Sequence, residues 1–303
     1  MVSEPPTLRG PMSTLSWPAD GPMEIHSHST VSDGTYEPER MAELMAEKGV
    51  AHWALTDHDT TGGLERARVA CARVGVSFIS GIEISAQSEG KSIHVLGYGF
   101  DPEEPNLASY AEKMEVARHE RMAEMVERVR GLGLEVTLDD VMAQSIQGNV
   151  GRPHLARALH ARGLVDTPQE AFDRWLRADG PGYVPMAYLS VDDALELIAG
   201  AGGMVILAHP GRYTTMVDHL DRWREAGLFA LEVRHPSHDL ATERRLVDVA
   251  QKHDLSMSAS NDWHGSLPDD IERLGRVNFS PAWRDAFFER LSQTAWAESQ
   301  GWR

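Results

Sequence analysis

Seven short apolar runs punctuate this chain, and most of them deliver a histidine or a carboxylate at or just beyond their ends. His26 and His28 lie at the end of the first, in Ile25-His26-Ser27-His28, with Asp33 on the next turn. Thr56-Asp57-His58-Asp59 follows His52-Trp53-Ala54-Leu55, Glu83 follows Phe78-Ile79-Ser80-Gly81-Ile82, and His94 sits inside Ser92-Ile93-His94-Val95-Leu96. His209 ends the run 204–208, and Asp262 and His264 end the run 255–261. Helical patterns at 41–46 and 64–70 separate the early runs, which is the grammar of βαβ units and parallel strands. Side chains delivered from the same ends of several such strands converge on one point when the sheet closes. Imidazole and carboxylate converging without thiolate is the ligand chemistry of a hydrolytic multi-metal site.

Strands are expected at 24–26, 52–55, 77–82, 92–98, 204–207, 229–233 and 256–260. Seven strands with mostly βα connections predict an α/β fold, a distorted and incomplete (βα)7 barrel. The barrel is assigned residues 23–104 and 186–303. Between them, residues 105–185 read as helix after helix (108–130, 138–144, 151–162 and 168–178), stopped by Gly131, Gly133, Gly163 and Gly180. This predicts an inserted all-helical subdomain lying as a lid over the substrate. Later helices are expected at 191–201, 216–226, 241–253 and 281–293. Residues 1–22 carry five prolines and little periodicity, and are read as an extension lying outside the fold or wrapped over it.

A chain of 303 residues with 42% hydrophobic content buries a full core. No apolar run approaches the roughly 20 residues that span a bilayer, and the first 22 residues lack the basic start of a secretion signal, so a cytoplasmic protein without membrane association is expected. Cys71 is the one cysteine, which excludes a disulfide frame and a thiolate zinc site. The net charge of −17 argues against binding long duplex nucleic acid. Two or three divalent cations would reverse that sign locally and leave a small polyanionic substrate allowed.

His-x-His in an extended segment places both imidazoles on one face. Any single pair of this kind could equally be satisfied core histidines or an acid–base group; repetition at strand ends favours ligands. His52, His119, His160, His219 and His253 lie on helix faces or strand flanks and are read as structural or exposed.

Taken together, Ile25-His26-Ser27-His28 with Ser32-Asp33-Gly34, Thr56-Asp57-His58-Asp59, Gly81-Ile82-Glu83, Ala208-His209-Pro210 and Asn261-Asp262-Trp263-His264 resemble the motif series of the PHP (polymerase and histidinol phosphatase) metallophosphoesterase superfamily. The resemblance runs from Met23 to about Gly275. It implies a two- or three-metal site of Mn, Fe or Zn at the strand C-terminal ends. One ion would be held by His26, His28, Glu83 and Asp262, a second by Asp33, His58 and His264, and a third by His94 and His209, with Glu83 bridging. Asp33 stands where some relatives have histidine, and Glu24 where aspartate is common. Asp57, His58 and His264 are the catalytic candidates, Asp57 as a partner orienting a ligand histidine rather than as a ligand.

Arg118 and Arg121, three residues apart on the long helix, share a face, and Gly151-Arg152-Pro153-His154 opens another helix. Most surface arginines are solvated; cations turned inward under a lid indicate phosphate. With Ala208-His209-Pro210-Gly211-Arg212-Tyr213, these segments are similar to the PHP branch of 3′,5′-nucleotide bisphosphate phosphatases, some of which trim short RNA from the 5′ end. The resemblance implies a phosphoric monoester hydrolase releasing the 3′-phosphate from substrates such as adenosine 3′,5′-bisphosphate, with short RNA as a second substrate. Arg118, Arg121, Arg152 and His154 would hold the phosphate that is not cleaved, with Arg212 near the metals. Separately from the resemblance, His235 and His238 follow the sixth strand at the same end of the barrel, and His238 is expected to contact substrate or a ligand residue. The alternatives are another PHP phosphatase, such as one for histidinol phosphate, or a nucleotide-binding protein that has lost the chemistry.

Overall fold

The computed structural model describes residues 20–145, 149–213, 215–266, 270–294 and 297, so all but the last three residues of the expected extension fall outside it. The strands are β1 (Met23–Glu24), β2 (His52–Leu55), β3 (Ser77–Ser88), β4 (Lys91–Tyr98), β5 (Leu189–Ser190), β6 (Met204–Leu207), β7 (Leu228–Arg234) and β8 (Ser256–Ala259). The helices are α1 (Pro38–Glu47), α2 (Leu64–Val74), α3 (Pro105–Gly131), α4 (Leu138–Met142), α5 (Arg152–Ala161), α6 (Pro168–Ala171), α7 (Val191–Gly200), α8 (Leu220–Glu225), α9 (Leu240–Lys252) and α10 (Pro281–Leu291).

Seven strands run β1-β2-β3-β4-β6-β7-β8 across one curled sheet, with β5 added beside β3. The sheet curls until its edges meet: Ser27 bridges Trp263, His28 N–H donates to Trp263 O at 2.8 Å, and Trp263 N–H donates to His26 O at 3.0 Å. The fold is thus the expected barrel-like α/β sheet with additional helices.

One connection departs from βα grammar. β3 does not stop at Ile82 but continues to Ser88 and returns as antiparallel β4, which in turn pairs antiparallel with β6. The cause is local. Ile84 and Ala86 alternate with Glu83 and Ser85, extending the strand period, and Glu89-Gly90 forms a two-residue turn with φ of 50° and 73° that matches strand twist. Glu83 therefore sits in mid-strand, and His94 lies opposite Ser85 on the same face.

One face of the strands fills the barrel. Ile25, Ala54, Ile79, Leu96, Ile206 and Ala230 form a cluster with Phe287, Phe288 and Leu291 of α10. Phe288 meets His52 at the start of β2, so α10 plugs the end of the barrel away from the histidines that follow β1. The other face packs under α1, α2, α7 and α9, where Cys71 is buried.

The helical region has its own apolar cluster, in which Met122, Val126 and Val129 of α3 meet Leu155 and Leu159 of α5. The first half of α3 instead packs on the barrel through Leu107, Tyr110 and Met114. The helix expected over 168–178 is α6 followed by a single π turn, Phe172–Leu176.

Candidate metal centre and the clefts beside it

Glu83 is the hub, reached from five directions. Its Oε2 lies 3.2 Å from His26 Nε2, 3.1 Å from His28 Nε2 and 3.1 Å from His58 Nδ1; its Oε1 lies 2.8 Å from His94 Nδ1 and 3.1 Å from His209 Nε2. Asp262 Oδ1 is 3.3 Å from His26 Nε2 and 3.2 Å from His28 Nε2. Asp33 faces His264 Nε2 at 3.3 Å and His28 and His58 at 3.9 Å. Three groups of donors emerge: His26, His28, Glu83 and Asp262; His28, Asp33, His58 and His264; and His58, Glu83 and His94. The nine expected ligands lie around Glu83, but the grouping differs: His28 and His58 each stand between two groups, and His209, facing Glu83 Oε1, belongs to none of the three.

The donor atoms aim at common points rather than at one another. His26 Nε2, both ring nitrogens of His28, His58 Nδ1, Asp33 Oδ1 and Glu83 Oε2 are buried without a hydrogen-bond partner. Each such atom costs about 1–3 kcal/mol if nothing satisfies it. Separations of 3.1–3.3 Å are the edges of a coordination shell with metal–ligand bonds of about 2.0–2.2 Å. The site fits divalent cations.

Its electrostatics agree. Burial opposes the charge of Glu83, Asp33 and Asp262, yet the facing histidines outweigh it and hold all three well below the usual carboxylate range. Burial pushes His58 down to about 3 and His209 down to about 4, leaving neutral rings as ligation requires. At His26 burial is overcome by Glu232, Glu83 and Asp262, which raise the ring well above its usual value. The same excess of carboxylate is what a cation would neutralise.

Several residues hold this arrangement in place. Among the described residues Asp57 hydrogen-bonds to no histidine: it accepts from Ser29 N–H and Oγ at 2.7 Å and from Ser32 Oγ at 2.6 Å, bracing the loop between His28 and Asp33. The orienting carboxylate is Glu232 on β7, which the sequence reading missed. It receives His26 Nδ1 at 2.9 Å, His209 N–H at 2.7 Å and Ser260 Oγ. Burial would raise its pKa, but His26, with His235 and His209 behind it, brings it down to about 2. Tyr213 reaches His209 Nδ1 at 3.0 Å and accepts His94 N–H at 2.9 Å. Asp59, His209 and Asp262 adopt positive φ of 54°, 30° and 48°, a strained backbone concentrated where the site is built.

The expected substrate residues separate into distinct roles. A cleft of about 140 Å³ is lined by Asp33, His58 and His94 on one side and by Arg118, Arg121 and Arg152 on the other, with Phe172 and Tyr188 beside them. Arg118 is already paired: Asp59, buried, receives its guanidinium together with Tyr110 Oη at 2.6 Å and Ser85 N–H at 2.6 Å. This corrects its expected role as a free phosphate ligand, since it ties α3 to the turn carrying His58. Arg121 donates to Val184 O and Arg152 to Leu176 O, and among the described residues neither has a carboxylate partner.

His154 and His238 are corrections too. His238 accepts Gly211 N–H at 3.1 Å and its Nδ1 meets Val233 O at 2.8 Å, so both ring nitrogens serve the loop; His235 faces the larger cleft instead, 3.2 Å from Asp262. His154 accepts the Gly151 N–H that opens α5, is buried, and lines neither cleft. Burial, with Arg157 adding to it, pushes its pKa from 6.5 down to about 4. Between those values only the unfolded chain takes up this proton. Stability present above pH 6.5 is therefore lost as pH falls, by about 3 kcal/mol at pH 4. His154→Asn, which can accept the same N–H, is expected to flatten this part of the curve. Urea midpoints of both proteins from pH 7 to 4.5 check it, and parallel curves would refute it.

On the far side of His58 and His94 lies a second cleft, of about 660 Å³, lined by Arg212, Ser237, Asn261 and Arg273 as well as the metal-facing residues.

Comparison with known proteins agrees with this architecture. The family model of the PHP domain matches residues 24–119. The chain is 35% identical over 247 residues to a 3′,5′-nucleoside bisphosphate phosphatase of Chromobacterium violaceum, covering 80% of this chain and 87% of that one. It is 32% identical over 265 residues to the 5′-3′ exoribonuclease Rnm of Escherichia coli, covering 86% and 90%. A crystal structure from Bifidobacterium adolescentis, assigned as a metal-dependent phosphoesterase, superposes with a TM-score of 0.83 at 33% identity over 90% of this chain and 96% of that one.

Proposed function

The chain belongs to the PHP-domain family of metal-dependent phosphoesterases, and from that premise we propose that it removes the 3′-phosphate of nucleoside 3′,5′-bisphosphates, with short RNA cut from its 5′ end by the same chemistry. The observation that carries this reading is a pair of arginines lining a cleft beside the candidate metal ligands. Among the described residues Arg121 and Arg152 have no carboxylate partner, and they share a cleft with Asp33, His58 and His94. Histidinol phosphate, a monoester with a cationic tail, gives these guanidiniums nothing to bind.

In this proposal His26, His28, Glu83 and Asp262 hold one ion, Asp33, His58 and His264 a second, and His94 and His209 a third, with Glu83 shared. When bound, the cations would polarise the scissile phosphoryl group and lower the pKa of the attacking water toward about 7. The protein's own part is positioning. Arg121 and Arg152 fix the 5′-phosphate, Phe172 and Tyr188 flank it, and Glu232 and Asp57 hold the His26 and Ser29–Ser32 segments rigid.

Phosphate release from adenosine 3′,5′-bisphosphate, adenosine 3′-phosphate and histidinol phosphate tests it. The bisphosphate should be preferred in kcat/KM, and Arg152→Ala should cut its preference over the 3′-phosphate by about 10- to 100-fold, the worth of a charged hydrogen bond. Equal turnover of bisphosphate and histidinol phosphate, unmoved by the substitution, would defeat the assignment. Tight nucleotide binding by metal-loaded protein without phosphate release would instead indicate a sensor.

A further inference from the structure

The two helices that present arginines to the small cleft also grip the loops of one group of metal-facing residues. On α3, Arg121 lines the cleft, and Arg118 one turn earlier is paired with Asp59, the residue that follows His58. Arg152, the first residue of α5, also lines the cleft and stands in the chain between two further grips. Asn149 donates through Nδ2 to His58 O, and Arg157 donates through Nη1 to Asp33 O at 3.1 Å. Every one of these contacts falls on Asp33, on His58 or on the neighbour of His58. Both residues belong to the second group of donors, with His28 and His264.

The first group is held otherwise. Among the described residues, His26, His28, Glu83 and Asp262 make no hydrogen bond to residues 105–185; the barrel strands, Glu232 and the seam at Trp263 support them. The grips on the second group are specific. Asn149 is buried, and its Oδ1 has no hydrogen-bond partner among the described residues, so the amide is held there for its one bond to His58 O. Arg157 is half-buried and, among the described residues, has no carboxylate partner; its guanidinium goes to a backbone carbonyl instead. A carbonyl held from outside fixes the direction in which the side chain of its residue leaves the backbone. Partners that orient ligand residues in this way carry about 10- to 100-fold in metal affinity.

We infer that Asn149 and Arg157 are positioning residues for the second cation, and that through residues 149–157 a phosphate in the arginine cleft and a cation at Asp33, His58 and His264 stabilise one another. The inference rests on the proposed function for both occupants. Phosphate fixes Arg152, Arg152 lies between Asn149 and Arg157, and these two fix the loops of His58 and Asp33. Coupling between two bound ligands is reciprocal, so each raises the affinity of the other by the same factor. The first cation, whose ligands this segment does not touch, stands outside the coupling.

The test titrates the metal-stripped full chain with Mn²⁺, by calorimetry and elemental analysis, with and without adenosine 5′-phosphate, whose phosphate is the one the arginine cleft would hold. The parent should bind Mn²⁺ in at least two affinity classes, and the nucleotide should tighten one class alone, by about 5-fold or more. Asn149→Ala and Arg157→Ala should weaken that class by about tenfold or more, spare the other, and bring the nucleotide effect toward one. Arg157→Lys, which can still donate to Asp33 O, should recover most of both losses. Arg162→Ala, at the exposed end of α5 where Arg162 pairs with Asp140, should change neither. A single Mn²⁺ class in the parent, equal weakening of both classes, an unchanged nucleotide effect in the two alanine variants, or the same losses in Arg162→Ala would overturn the inference. Tighter Mn²⁺ binding by Arg157→Ala would show that its charge merely repels the cation, and would overturn it as well. Failure of the nucleotide to bind the parent would defeat the bisphosphate reading and the coupling with it, while the Mn²⁺ titrations without nucleotide still decide the positioning role.

Discussion

Glu83→Gln is expected to lower kcat on any phosphoester substrate by at least about a thousandfold, the several kcal/mol of charge stabilisation that a misplaced cation forfeits. The substitution keeps the size of the side chain and removes its charge. Five imidazoles, of His26, His28, His58, His94 and His209, lie within 3.2 Å of this one carboxylate. An amide offers one weakly accepting oxygen in place of two charged ones, and its NH2 group would turn hydrogens toward ring nitrogens that now face a carboxylate oxygen. Elemental analysis should show at least one equivalent of metal lost along with activity. Full metal content with unaltered kcat would mean that Glu83 is only a structural acid and that the assignment of the centre is wrong.

The second large effect concerns a residue that touches no substrate. Glu232→Ala should cost about 3–5 kcal/mol of stability, the range for breaking a buried charge pair from one side, because it leaves His26 Nδ1, the His209 N–H and Ser260 Oγ without their acceptor. Two metal-facing histidines lose their support at once. Glu232→Gln retains an acceptor oxygen and the volume, and should recover most of the stability while metal affinity stays about 10- to 100-fold weakened. Chemical denaturation of the metal-stripped proteins, followed by metal titration, separates the two effects. Equal metal affinity in Glu232→Gln and the parent would show that this carboxylate serves folding alone.

Why these two residues differed in legibility is instructive. Glu83 announced itself at the end of an apolar run, and so did the histidines, because a buried strand is a run of hydrophobes and a polar residue at its end is conspicuous. Glu232 lies inside Leu228–Arg234, a strand written down for its apolar residues, and its burial between Leu231 and Val233 was the signal available. A carboxylate there is tolerable only with donors waiting for it. The β3–β4 hairpin was hidden for a related reason: the alternation beyond Ile82 is as strand-like as what precedes it, but the expectation of βα units ended the strand early. Helices and their stops were readable from glycine and proline. The pairing of Asp59 with Arg118 was not, since 59 positions separate them and only the docking of α3 brings them together. His235 and His238 both follow β7, and spacing does not distinguish them; the turn sends His238 toward Gly211 and His235 toward Asp262.

The seam between Ser27 and Trp263 has a consequence for how the molecule is made. The first strand that supplies ligands is only two residues long, and its continuation is fixed by hydrogen bonds to a segment more than 230 positions later. Contacts of such separation carry the largest loop-closure cost and form late. During synthesis His26 and His28 leave the ribosome long before Asp262 and His264 exist. The centre is therefore completed by the arrival of the last barrel strand, and a chain cut just before that strand has seven of the nine expected ligands and an incomplete site.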